Sequence, residues 1–159
     1  MTISTDRPAL WKVIAGATLL VGILDISDAF IFYGIRGVAP TRILQGIASG
    51  VLGRTAFGMG SRSALLGLFF HFFIAFSATT AFLLASRKLP LASHPFLYGS
   101  LFGIALYIVM NYVVLPLSKI GMRPTPPFIP LVNGVAALIF CIGIPLALIA
   151  RRYVAQQTS

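Results

Sequence analysis

Four stretches of about 20 residues or more run through this chain with almost no break in their apolar character, and nothing else limits its folding so strongly. A helix rises about 1.5 Å per residue, so about 20 apolar residues cross a hydrocarbon layer roughly 30 Å thick. The stretches run from Trp11 to Tyr33, from Ser63 to Ala85, from Phe96 to Leu117 and from Pro130 to Arg152. Only 9% of the 159 residues are charged and 58% are apolar, against roughly 25% and 45–50% in soluble domains. Such a chain lacks the polar surface that a water-facing globule needs. The sequence therefore predicts an all-α fold, an integral membrane four-helix bundle forming one transmembrane domain over residues 1–159. Trp11 with Lys12, Tyr33 with Arg36, Arg87 with Lys88, and Arg151 and Arg152 with Tyr153 stand at the span ends, where aromatic and cationic side chains favour the membrane interface.

A competing reading of the first span is a cleaved signal peptide, with Arg7 and Lys12 as its charged start and Ser27-Asp28-Ala29 as the cleavage site. The apolar run continues past that site through Phe30, Ile31 and Phe32, which favours a retained span. Between spans one and two, residues 40–52 (PTRILQGIASGVL) have helical periodicity. At 100° per residue, Ile43, Leu44, Ile47, Ala48 and Val51 share one face, with Arg42, Gln45 and Ser49 opposite. Pro40 suits a first helical turn. The segment reads as a short amphipathic helix, either lying on the membrane surface or capping the bundle.

The loop of about ten residues after span two makes spans two and three antiparallel neighbours. The loop before span four holds Pro124, Pro126 and Pro127 and should be extended. Pro116 marks a span end and Pro145 a kink. Lysines and arginines divide six against six between the two sides, so the positive-inside rule does not set the orientation by count. Their denser packing near the spans on the side of the termini favours cytoplasmic termini.

The net charge of +9 comes from 12 Lys and Arg against three acids, Asp6, Asp25 and Asp28. The cations flank apolar runs, so the expected partners are the lipid bilayer and its anionic head groups, with no nucleic acid. Arg42, Arg54 and Arg62 are the candidate head-group contacts. The run Gly58 to Ser63 opens span two; its amides could attract a lipid phosphate, while the ordinary reading makes Ser61 or Ser63 a helix cap. A single cysteine, Cys141, excludes an intrachain disulfide and a Cys-rich metal site. No cofactor fingerprint, nucleophile elbow or zincin motif is present, so neither a cofactor nor a metal is expected.

Ionisable and amide side chains inside the spans carry the functional expectation, because hydrocarbon cannot solvate them. An Asp at mid-span costs about 2.5–3.5 kcal/mol on insertion scales and turns towards protein or a wet cavity. Asp25 and Asp28 share one face of span one, and Asp25 continues a stripe of small residues, Ala15, Thr18, Gly22 and Ala29. Span two has a matching stripe of Ala64, Gly67, His71, Ala75 and Ala78. Asp25 lies eight residues before Tyr33 and His71 eight after Ser63, so both sit roughly 12 Å from one end of the bundle and can meet. Asn111 and Asn133 fall in the same half, on ridges formed by Gly99, Gly103, Tyr107 and Asn111 and by Asn133, Ala137, Cys141 and Pro145.

Asp25, Asp28, His71, Asn111 and Asn133 thus form the candidate proton or solute site. Two roles compete for it. Either the acids pair with His71, Asn111, Arg42 or Arg54 to fix helix register, or they form a protonatable half-channel. A site for metal from two Asp and one His is possible in ligand type, but no local motif supports it.

The runs GIRGVAPTRILQGIASGVLG, SALLGLFFHFFIAFS and YGSLFGIALYIVMNYVVLPLS resemble a group of small, functionally unassigned bacterial four-helix inner-membrane proteins. The last 60 residues, with a third span ending in Pro-Leu, a proline-rich loop and a fourth span ending in Arg-Arg, also resemble the YagU-like membrane proteins. The resemblance implies a multi-pass location in a bacterial inner membrane and no particular activity. The expected role is structural or accessory rather than enzymatic. The alternative is a small proton-coupled transporter or channel, as a homodimer because four short helices enclose little space. A membrane enzyme acting on lipid at the arginine-rich face is the third reading.

Overall fold

The computed structural model describes residues 9–121, 124 and 126–158, and among these the chain forms five helices and no strand. They are α1 (Leu10–Gly34), α2 (Pro40–Leu52), α3 (Ser61–Ser86), α4 (Pro95–Leu117) and α5 (Phe128–Gln156). The helices α1, α3, α4 and α5 have 25, 26, 23 and 29 residues and are apolar enough to cross a membrane. Each agrees with its expected span to within a few residues, and α1 runs unbroken through Ser27-Asp28-Ala29. Arg7 and Arg123 lie outside the described residues.

Proline and glycine set the boundaries. Pro40 and Pro95 occupy first turns, where a missing N–H costs nothing. A 3₁₀ segment, Gly53–Gly58, links α2 to α3. It is bracketed by Gly53 at φ +66° and Gly60 at φ +59°, a backbone region that side chains with a Cβ avoid. Gly60, not Ser61 or Ser63, is the capping residue of α3. The Ser63 hydroxyl instead donates to the Ala56 and Gly60 carbonyls at 2.6 and 3.1 Å, tying the 3₁₀ segment down.

The helix α2 caps the bundle by packing on α3. Its Leu44 carbonyl sits where any Cβ at Gly67 would fall, so glycine there lets the backbones touch. At its far end the Lys119 amide donates to the Gly50 carbonyl at 2.8 Å, strapping α2 to the chain that follows α4. Its buried face differs from the expected one. Ala48 is buried as expected, but Gln45 and Ser49 point inward as well, while Val51 is exposed. Local carbonyls make this possible, because Gln45 donates to Gly60 at 3.0 Å and Ser49 to Gly46 at 2.6 Å. Amphipathic periodicity found the helix but assigned its faces as water would.

Long apolar side chains point outward and small ones inward. Phe69, Phe96 and Phe140 are 62%, 65% and 66% exposed, whereas Ala17, Ala75, Ala147 and Ala150 are buried. Around those alanines, Val21, Phe82, Leu83 and Leu146 fill a core in the half of the bundle nearer the chain termini. Tyr153, expected at an interface, is packed inside. The closest partner of α4 is α5 rather than α3. Gly99 and Gly143 bring the two backbones together, since a Cβ on Gly99 would stand 2.8 Å from the Gly143 carbonyl oxygen. Contact of α4 with α3 includes the edge-to-face pair of Phe82 and Phe102, centroids 4.8 Å apart.

Pro116 stands one residue before the end of α4 at Leu117, as expected, while α5 runs on through Pro145. Each proline follows a π-helical stretch, Met110–Val114 in α4 and Leu138–Gly143 in α5. Proline supplies no N–H and its ring crowds the carbonyl four residues back, and a wider turn relieves both. These widened turns flank the polar end of the bundle.

Candidate functional site

Four of the five expected polar residues line one chamber. Asp25 and Asp28 on α1, Asn111 on α4 and Asn133 on α5 line a half-open space of about 410 Å3 together with Tyr33, Tyr107 and Tyr112. Pro124, Pro126 and Pro130 contribute from the loop and the start of α5. That volume holds on the order of ten waters at about 30 Å3 each. No lysine or arginine among the described residues lines it. The stripe of small residues on α1 brings the acids inward, and the π turn of α4 supplies Met110, Asn111 and Tyr112 as one wall.

His71 stands behind this chamber. A second cavity of about 200 Å3 is lined by Asp25, His71, Ile47, Met110, Leu138 and a floor that includes Ala75 and Ala78. Asp25, Met110 and Leu138 line both spaces, so the two adjoin at the deeper acid. Beyond the floor the core is filled, with Val21, Leu83, Leu146 and Ala147 at 0% exposure. The two adjoining spaces thus end against this filled core.

The imidazole is held by the backbone of the neighbouring helix. His71 Nε2 lies 2.8 Å from the Gly22 carbonyl oxygen. A carbonyl only accepts, so Nε2 carries the hydrogen and neutral His71 presents an unprotonated Nδ1. That Nδ1 lies 3.9 Å from Asp25 Oδ2, with side-chain exposures of 9% and 24%. The gap exceeds a hydrogen bond, and attraction across it requires a proton on Nδ1 or on the carboxyl, since two bare acceptors repel. Gly22 makes the contact possible, because a Cβ there would collide with the Phe72 ring, which stacks edge-on beside His71.

Asp28 has a different partner. Asn133 Nδ2 donates to its Oδ2 at 2.9 Å, linking α1 to α5. The Asn111 amide turns back on its own helix and donates to the Tyr107 carbonyl at 3.0 Å. Because Asp28 is bound to Asn133, the two acids and His71 do not converge as a ligand set. No group of three His, Cys, Asp or Glu side chains suited to a metal occurs among the described residues.

The arginines stand apart from the acids. Arg54 and Arg62 are exposed, and the Arg42 guanidinium covers the Phe57 ring at 4.2 Å. Arg36 behaves likewise, lying 3.6 Å over Phe32 and donating to its carbonyl. The expected alternatives of an Asp–Arg42 or Asp–Arg54 pair therefore do not form, because each guanidinium stays at the surface.

Sequence spacing brought Asp25 to His71 and placed Tyr107 on the Asn111 ridge, but missed the Gly22 carbonyl, Tyr112 and the pairing of Asp28 with Asn133. Tyr33 was legible only as a span-end anchor. The carbonyl had no signal beyond a glycine in a stripe. Comparison of the chain with protein-family models, with curated proteins and with solved structures returns no match, so the chamber itself is what bears on function.

Proposed function

We propose that this chain is a four-span protein of a bacterial inner membrane whose polar chamber is a half-channel, a site where a small solute and a proton bind in a linked way. The observation that carries the reading is the chamber itself, two carboxylates and two amides around about 410 Å3 that reaches from Tyr33 and Pro130 at the bundle end to Asp25. A polar space of this size admits water, and water lets acids keep their charge inside a membrane. Asp25 and His71 Nδ1 are the proton-exchanging pair, with Gly22 fixing the ring that faces the acid. Asp28, held by Asn133, supplies the second charge. Release to the opposite face requires the filled half of the bundle to open, and a homodimer gives α4, the span with the smallest buried share, a surface to move against. In this reading the termini are cytoplasmic, and exposed Arg54 and Arg62 meet anionic lipid head groups.

Vesicles containing the reconstituted protein and a pH-sensitive dye test this. A pH step across the membrane should drive proton flux above that of empty vesicles, and Asp25→Asn should abolish it while leaving a monodisperse, thermally stable protein. Absence of flux in the unaltered protein ends the transport reading. One observation favours a second role beside it. The Asn133–Asp28 and His71–Gly22 bonds each cross between helices, which suits a cluster that fixes helix register in an accessory protein. In that case Asp25→Asn lowers only the thermal midpoint.

A further inference from the structure

Next to the polar chamber lies a larger and mostly apolar groove of about 680 Å3. Its walls come from α2 (Ile43, Ile47), α3 (Phe70, Phe73) and the end of α4 (Val114). The two spaces adjoin, because Tyr33, Met110 and Leu115 line both. The polar one carries two carboxylates and three tyrosines, with no cation among the described residues that line it. Carboxylates attract positive charge, and tyrosine faces bind an ammonium that has shed its water. The groove offers apolar walls, and its one charged side chain, Arg42, is already stacked on Phe57.

We infer that the two spaces form one bipartite site for an amphiphilic organic cation, an ammonium head beside Asp28 and Tyr107 and an alkyl chain along α2 in the groove. This rests on the half-channel reading and names the class of solute it handles. An anionic amphiphile would set its head against Asp25 and Asp28 and is rejected. A small hydrophilic cation fills only the polar space and binds weakly. The junction at Tyr33 and Met110 is where head meets chain.

Gly46 gives a clean way to separate the two parts. It lines the groove, and a Cβ built on it meets nothing within 4 Å. Gly46→Phe therefore has space for its Cβ and carries its ring from the groove wall into the groove. The protein in lipid nanodiscs is titrated with tetramethylammonium, decyltrimethylammonium and decyl sulfate, with binding read as a shift in thermal midpoint. Wild type should bind decyltrimethylammonium at least 100-fold more tightly than tetramethylammonium. Gly46→Phe should weaken the long-chain cation at least tenfold and leave tetramethylammonium unchanged. This paired readout is needed because lipid also takes up long chains. Asp28→Asn should weaken both cations, and decyl sulfate should not bind specifically.

Equal loss of both cations in Gly46→Phe, an unaltered long-chain affinity in that variant, or specific binding of decyl sulfate overturns the bipartite site. Proton flux in vesicles with no binding of either cation overturns the cation assignment and spares the half-channel. Absence of both flux and cation binding removes the two together.

Discussion

The two halves of this bundle are built from the same helices and differ in almost everything else. Towards the termini, α1, α3 and α5 meet through Ala17, Ala75, Ala147 and Ala150, and Phe82, Leu83 and Leu146 fill what remains. Towards α2, the same helices carry Asp25, Asp28, His71 and Asn133 and border open volume. Small residues pack one half tightly because large neighbours interdigitate with them. In the other half, polar side chains line open volume instead, and the π turn Met110–Val114 of α4 supplies one of its walls. Close packing and a polar cavity are thus alternative uses of the same small-residue stripe, and a bundle of four short helices has room for both only by placing them end to end.

The seam between α4 and α5 joins the halves, and breaking it should have the largest effect. A Cβ on Gly143 would fall on the Gly99 carbonyl, a backbone atom that cannot swing aside. Gly143→Leu should therefore leave no monodisperse protein on size exclusion in detergent, whereas Gly16→Leu, at a site where a Cβ meets nothing within 4 Å, should leave the profile unchanged. A stable Gly143→Leu variant would show that α4 is not held by this seam.

Equivalent truncations on each side of the boundary sharpen the contrast. Leu146 has no exposed surface, and Leu146→Ala should cost about 2–5 kcal/mol because its tight surroundings cannot collapse on the void. Met110 borders both cavities and the apolar groove. Its loss in Met110→Ala should cost less than half as much, since the space around it is already open. Thermal unfolding in one detergent compares the two. Equal losses would mean that the polar half is as tightly packed as the apolar one.

The polar half has its own fastening. Removing the Asn133 amide in Asn133→Leu deletes the bond to Asp28, and interhelical hydrogen bonds in membrane proteins contribute about 1 kcal/mol. The thermal midpoint should fall by a correspondingly small amount. Asn133→Asp should lower it further at neutral pH than at acidic pH, because two adjacent carboxylates repel until one is protonated.

The two halves were unevenly legible in the sequence, for physical reasons. The positions of the four long helices were legible because each is an unbroken apolar run long enough to cross a membrane. The meeting of Asp25 with His71 was legible because antiparallel helices of known rise convert residue counts into depth. The inward turn of Gln45 and Ser49 was not, because their partners are backbone carbonyls with no residue signature. The choice of α5 over α3 by α4 also escaped, because loop length predicts a neighbour while Gly99 and Gly143 decide which backbone comes closest. Pro145 suggested a bend, and the π stretch Leu138–Gly143 before it escaped because it depends on how the freed carbonyls are satisfied.

The smallest predicted effect uses glycine again, in the open half. Gly46 lies within α2, where glycine costs up to about 1 kcal/mol relative to alanine through backbone entropy. At Gly67, the neighbouring contact, the cost is offset because only glycine lets Leu44 approach. At Gly46 nothing offsets it, since a Cβ there would point into the groove. Gly46→Ala should therefore raise the thermal midpoint slightly while Gly67→Ala lowers it, although the two residues lie on helices in direct contact. A fall in the midpoint for Gly46→Ala would mean that the groove wall is already filled, and that the openness of this half is narrower than its lining implies.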